Sequence, residues 1–103
     1  MIRHMVALRF KKGTSALTKA ALYEDLAALS DRIDGIIRFE SRENVSVEDP
    51  LVRGFRDMFW FDFKDVSVRD AYLEDEVHKS IGERLVAELD GGLDGVFVID
   101  FEV

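Results

Sequence analysis

The sequence predicts an α+β sandwich, in which one four-stranded antiparallel sheet carries two helices on a single face. Three observations predict it. The hydrophobic period switches between 2 and 3.6 along the chain, giving the order β-α-β-β-α-β. The 103 residues hold no repeat, linker or low-complexity stretch and match about one domain, read here as spanning 1–103. With 48% hydrophobic and 34% charged residues and no cysteine, the chain can fill one core without covalent staples. Two split βαβ units of this length give the ferredoxin-like arrangement, with the first and third strands as central neighbours.

Each element has its own signal. Over residues 2–10, Ile2, His4, Val6, Leu8 and Phe10 alternate with Arg3, Met5, Ala7 and Arg9, which is a strand. Lys12-Gly13-Thr14-Ser15 makes a turn, and either hydroxyl residue can cap the helix that follows. From about 16 to 33, Leu22, Leu26, Leu29 and Ile33 keep to one helical face, ending near Asp34-Gly35. A second strand runs from Ile36 to Val45, and 46–54 is a loop holding the only proline. Phe55 to Phe63 is the strongest strand signal, with Phe55, Phe59, Phe61 and Phe63 on one face and Met58 and Trp60 on the other. Ser67 with Asp70 matches a capping box for a helical region that continues through Val77, Ile81, Leu85 and Leu89 to Asp90-Gly91-Gly92. Val96 to Val103 is the last strand.

Charge and patterning exclude several functions. Fourteen basic against twenty-one acidic residues give a net charge of −7, the wrong sign for nucleic acid or an anionic membrane. No apolar run is long enough to span a bilayer, and the alternating, charged N-terminus reads as a strand rather than a signal peptide, so the expected location is cytoplasmic. No histidine, cysteine and acid spacing suits a metal, and there is no phosphate loop or GxSxG, so neither metal nor cofactor is expected. The sheet face carrying Met5, Ala7, Met58, Trp60, Val96 and Val98 would be left bare by helices on the other side. Its simplest cover is a second copy, a homodimer packed sheet against sheet.

Several segments together resemble the stress-responsive A/B barrel (Dabb) family over essentially the whole chain. They are Arg3-His4-Met5-Val6-Ala7-Leu8-Arg9-Phe10 with Lys12-Gly13-Thr14, then Asn44-Val45-Ser46, Gly54-Phe55, Tyr72 with His78, and Val98-Ile99-Asp100-Phe101. The resemblance implies a dimeric α+β barrel in a family most of whose members lack an assigned reaction. Its best understood members are plant polyketide cyclases of the olivetolic acid cyclase type, which close a poly-β-ketone by an aldol-type condensation without cofactor. It also implies catalytic roles for His4, Tyr72 and His78. Where the cyclases commonly have His-Pro this chain has Asp75-Glu76, and where they often have a third-strand histidine it has Asp57. Both changes disfavour an anionic substrate.

Read from the residues alone, His4 is either a core histidine with one hydrogen bond or an acid/base. Tyr72 and His78, six residues apart, are about 120° from eclipsed on a continuous helix, so they share a site only if the helix breaks at Glu74-Asp75-Glu76. With that break His78 falls in a first turn and serves as base, Tyr72 donates to a developing enolate, and His4 orients or relays. Otherwise Tyr72 is packing and His78 is surface. Phe55, Asp57, Phe59 and Phe61 are expected to line a substrate pocket for an apolar or aromatic ligand. Register argues against a His4–Asp57 dyad, because His4 should lie near Phe61, and Asp57 is then a partner for a basic group or a pocket-edge acceptor. The expected function is a small-ligand-binding dimer with an apolar pocket. A cofactor-free cyclase or lyase is the alternative, and a cofactor-free monooxygenase a further one, by analogy of fold alone.

Overall fold

The structure, a computed structural model, describes residues 1–103. Strand β1 (Ile2–Leu8) leads to helix α1 (Ala16–Ala27), followed by β2 (Ile36–Glu43), a short helix α2 (Asp49–Val52) and β3 (Asp57–Phe63). Helices α3 (Val66–Glu74) and α4 (Glu76–Ala87) and strand β4 (Val96–Glu102) complete the chain. The sheet order is β2-β3-β1-β4 with every neighbour antiparallel, so β1 and β3 are central. This is the ferredoxin-like fold. No helix is long and apolar enough to cross a membrane.

The core lies between the sheet and its helices. Leu8, Phe61, Phe63 and Leu89 are wholly buried, and Leu22 and Leu26 of α1 and Ile81 and Leu85 of α4 close over them. At about 1.5–3 kcal/mol for each such side chain, burial on this scale accounts for the fold without crosslinks. Phe61 and Phe63 stack with centroids 5.5 Å apart and planes within 8°. Gly35 carries φ +94° where the chain enters β2, and a Cβ there would come within 2.5 Å of Val68 Cγ2, so only glycine lets α3 approach so closely.

Several boundaries differ from the sequence reading, each for a local reason. Helix α1 gives way at Ala28 to a 3-10 turn through Asp31, which still turns Leu29 and Ile33 inward. The loop at 46–54 holds α2, one turn with Pro50 near its start and Arg53 left-handed at its end, too short to show a period. The cap of α3 is Asp65 rather than a Ser67–Asp70 box. Its Oδ1 accepts from the Val68 amide at 3.1 Å and from the Ser67 hydroxyl at 2.6 Å.

Two face assignments are corrected. Strand β3 begins at Asp57, so alternation does not reach back to Phe55. That ring lies with Ala7, Met58 and Phe97 on the face away from the helices, 5.1 Å beneath the Arg9 guanidinium. In β4, Val96 stands opposite Leu8 and Val98 opposite Val6, which puts both valines on the helix side. Phe97, Ile99 and Phe101 share the outer face with Met5, Met58 and Trp60 instead, and they are 57%, 46% and 41% exposed. The run Val-Phe-Val-Ile is apolar in both parities, so only pairing decides its orientation. The outer face also holds the buried Asp62, gripped by Arg3 at 2.8 and 3.1 Å.

Candidate functional site

Helices α3 and α4 meet where Asp75 ends one and caps the other. Its Oδ2 accepts from the Val77 and His78 amides, both at 3.0 Å, and its Oδ1 takes Arg32 Nε at 2.8 Å. Burial alone would raise the Asp75 carboxyl. Arg32 and the two amides overcome it and hold the group low, so the cap stays ionised. The break swings His78 onto Tyr72, with ring centroids 3.8 Å apart. Tyr72 in turn meets His4 edge-on at 5.5 Å. The three side chains expected to act together are therefore brought together.

Their electrostatics differ. Tyr72 is 1% exposed, and burial, with the Asp100 carboxylate nearby, pushes its phenol far up, so it remains a neutral donor. Burial pushes the His78 imidazole down and the neighbouring His4 pushes it further, against Asp75, so His78 is neutral at pH 7. Its Nδ1 is buried with no hydrogen-bond partner in the chain. An unpaired buried nitrogen costs free energy and is uncommon away from functional sites.

His4 has a partner that sequence reasoning missed. Its Nδ1 lies 2.7 Å from Asp100 Oδ1, and Asp100 Oδ2 is held by Arg69 at 3.1 Å. With a carboxylate as its partner, Nδ1 carries a proton and donates it to Asp100, which fixes the orientation of the ring. The signal was present, since antiparallel pairing of β1 with β4 places His4 opposite Asp100.

The expected pocket residues are distributed differently. Phe59 and Phe61 are core, 2% and 0% exposed, packed against Phe39 and Tyr72, and Phe55 lies on the far face of the sheet. His4 pairs across from Phe61, well away from Asp57. Asp57 binds Lys19 Nζ at 3.1 Å and lines a cavity of about 530 Å³ between α1 and the β2–β3 edge, beside Tyr23, Ser41 and Val45. Five cavities, the one at Asp57 among them, are lined by none of His4, Tyr72 and His78. There is no cluster of histidine and acidic side chains able to hold a metal ion.

Comparison with known proteins decides the family. The model of the stress-responsive A/B barrel domain matches residues 2–103. The chain belongs to the Dabb family. Among solved structures, this Dabb domain is similar to a dimeric ferredoxin-like protein of unknown function from Jannaschia sp. CCS1, at 26% identity and TM-score 0.87, covering 99% of this chain and 98% of that one. It is similar to At3g17210 from Arabidopsis thaliana at 24% identity and TM-score 0.87, over 100% of this chain and 95% of that one. A hydroxynitrile lyase from Passiflora edulis shares the fold at 13% identity and TM-score 0.81, over 99% and 92% of the two chains. No curated protein matches this Dabb domain.

Proposed function

We propose that this Dabb domain is a homodimeric, cofactor-independent acid/base catalyst that removes a proton next to a carbonyl in a small apolar or aromatic substrate. The observation that carries this reading is the half-buried His78 ring, its Nδ1 buried and unpartnered, with its centroid 3.8 Å from that of a neutral Tyr72. His78, uncharged at pH 7, takes the C–H proton. The Tyr72 hydroxyl donates to the enolate oxygen as charge develops there, and His4, held by Asp100, orients the pair. From the same enolate, attack on a second carbonyl would give aldol-type cyclisation, and return of the proton would give simple exchange. That a lyase is built on this fold makes room for such chemistry, although at 13% identity it lends only the fold.

The test is solvent deuterium exchange into the methyl group of acetophenone, followed by NMR. The expected result is exchange above background that Tyr72→Phe lowers by about 10²-fold or more, at nearly unchanged Tm. Exchange equal to background, or undiminished in the variant, would remove the reading.

A second reading, a dimer that binds a small ligand without turning it over, is favoured by one observation. Five cavities, the one of about 530 Å³ beside Asp57 among them, lie away from the three rings.

The dimer rests on the bare outer face and on the dimeric state described for similar proteins. The exposed Phe97, Ile99 and Phe101 with the partly exposed Met5, Met58 and Trp60 form its centre, an apolar surface that a second sheet would cover. Ile99→Lys should yield monomers by light scattering at micromolar concentration, because a charge at the centre of such a contact stays unpaired. A dimer that persists would place the contact elsewhere.

A further inference from the structure

The cavity between α1 and the β2–β3 edge lies outside the site just described. A chain of aromatic rings separates the two, since Tyr23 meets Phe59 at 6.3 Å, Phe59 meets Phe61 at 6.0 Å, and Phe61 meets Tyr72 at 4.8 Å. At about 530 Å³ the cavity falls within the usual range for small-molecule sites. Its lining combines a greasy wall with polar groups in a defined state. The Tyr23 ring supplies the inner wall, and the exposed Ala16, Ala20 and Val45 form the rim. The Tyr23 hydroxyl is buried with no partner in the chain, and burial, with Asp57 and Glu43 close by, pushes its phenol far up, so it is a permanent donor in search of an acceptor.

Lys19 and Asp57 add complementary groups. Lys19 Nζ spends one N–H on Asp57 Oδ2 and sits 4.9 Å over the Phe10 ring, which leaves a further donor. Asp57 keeps Oδ1 as an acceptor. The two cations of the lining, Lys19 and Arg42, balance its two carboxylates, Glu43 and Asp57, in a protein of net charge −7. Nothing here favours an anion.

We propose that this cavity is a second ligand site for an uncharged α-hydroxy carbonyl compound with an apolar substituent. The carbonyl oxygen accepts from Tyr23 and Lys19, the adjacent hydroxyl donates to Asp57 Oδ1, and the substituent lies along Ala16, Ala20 and Val45. Neither group alone uses both halves of the site. A neutral ligand keeps the Lys19–Asp57 pair intact, whereas an anion would compete with Asp57 for Lys19.

The probe is 2-hydroxyacetophenone, titrated into the whole protein and followed by amide chemical shifts. Acetophenone, which lacks the hydroxyl, and mandelate, which is charged, serve as comparisons. Saturable shifts are expected at Ala16–Tyr23 and Ser41–Val45. Acetophenone should bind about tenfold more weakly, and mandelate should give no saturable shift. Tyr23→Phe should raise the Kd about tenfold while leaving Tm equal or higher, because it deletes an orphaned donor and nothing else. Shifts that fail to saturate, shifts confined to Tyr72–His78, equal affinity for mandelate, or undiminished binding by the Tyr23→Phe variant would each overturn the proposal. All of these outcomes leave the exchange reaction at Tyr72 and His78 to stand or fall by its own test.

Discussion

Replacing His78 by glutamine should lower acetophenone proton exchange by about 10²–10⁴-fold, the usual contribution of a positioned general base. Glutamine keeps a polar planar group over the Tyr72 ring but has no basic nitrogen, so a loss of exchange at similar stability isolates the proton transfer. The same variant carries a pH signature. The folded pKa of His78 is depressed by burial and by His4, so the unfolded chain takes up the proton first as pH falls. The stability contributed by neutral His78 is therefore complete above the ordinary value near 6.5 and is lost as pH falls through the folded pKa. Urea midpoints measured from pH 7 down to 5 should fall more steeply in the wild type than in His78→Gln. Exchange activity of the wild type should fall at a lower pH than a free imidazole would give, since burial and His4 depress the base's pKa. Parallel midpoints with unchanged exchange would show that His78 is an ordinary packed residue.

Phe61→Ala should cost about 3–5 kcal/mol of stability, the largest loss expected from any single truncation in this core. The ring is wholly buried at the centre of β3 and touches Phe39, Phe59, Phe63 and Tyr72, with centroids between 4.8 and 6.0 Å. Neighbours on a central strand, fixed by pairing on both sides, cannot collapse into the space left behind. The consequence reaches the site, because Tyr72 rests on this ring. Denaturant unfolding at fixed protein concentration measures the loss, and a change below about 1 kcal/mol would show that the aromatic stack repacks freely.

The candidate site was half legible in the sequence. The place of a possible break followed from local rules, because three consecutive acids interrupt an apolar period and an acid can cap the next helix, but whether the break forms and turns His78 onto Tyr72 was left open by the sequence. The antiparallel offset that sets His4 against Phe61 rather than Asp57 followed from the strand ends and the antiparallel sense. Asp100 and Tyr23 were not seen. Asp100 touches His4 across 96 positions of sequence, in a strand whose parity is ambiguous. Tyr23 looks like any half-buried helical tyrosine until its hydroxyl is found without a partner. The expected pocket residues were divided between two cavities, at Asp57 and at Phe55, and the core, at Phe59 and Phe61, since alternation states which rings point inward but not whether space remains between them.

What the amino-acid order determined alone is the four strands, the two helical regions and the place where a helix break could fall, because each depends on periodicity and capping within a few residues of chain. Tertiary structure decided which side of β4 faces out, where the cavities lie and what holds His4. Those outcomes depend on the register between distant strands and on how completely side chains fill the volume between layers, and neither quantity is carried by any local stretch of sequence.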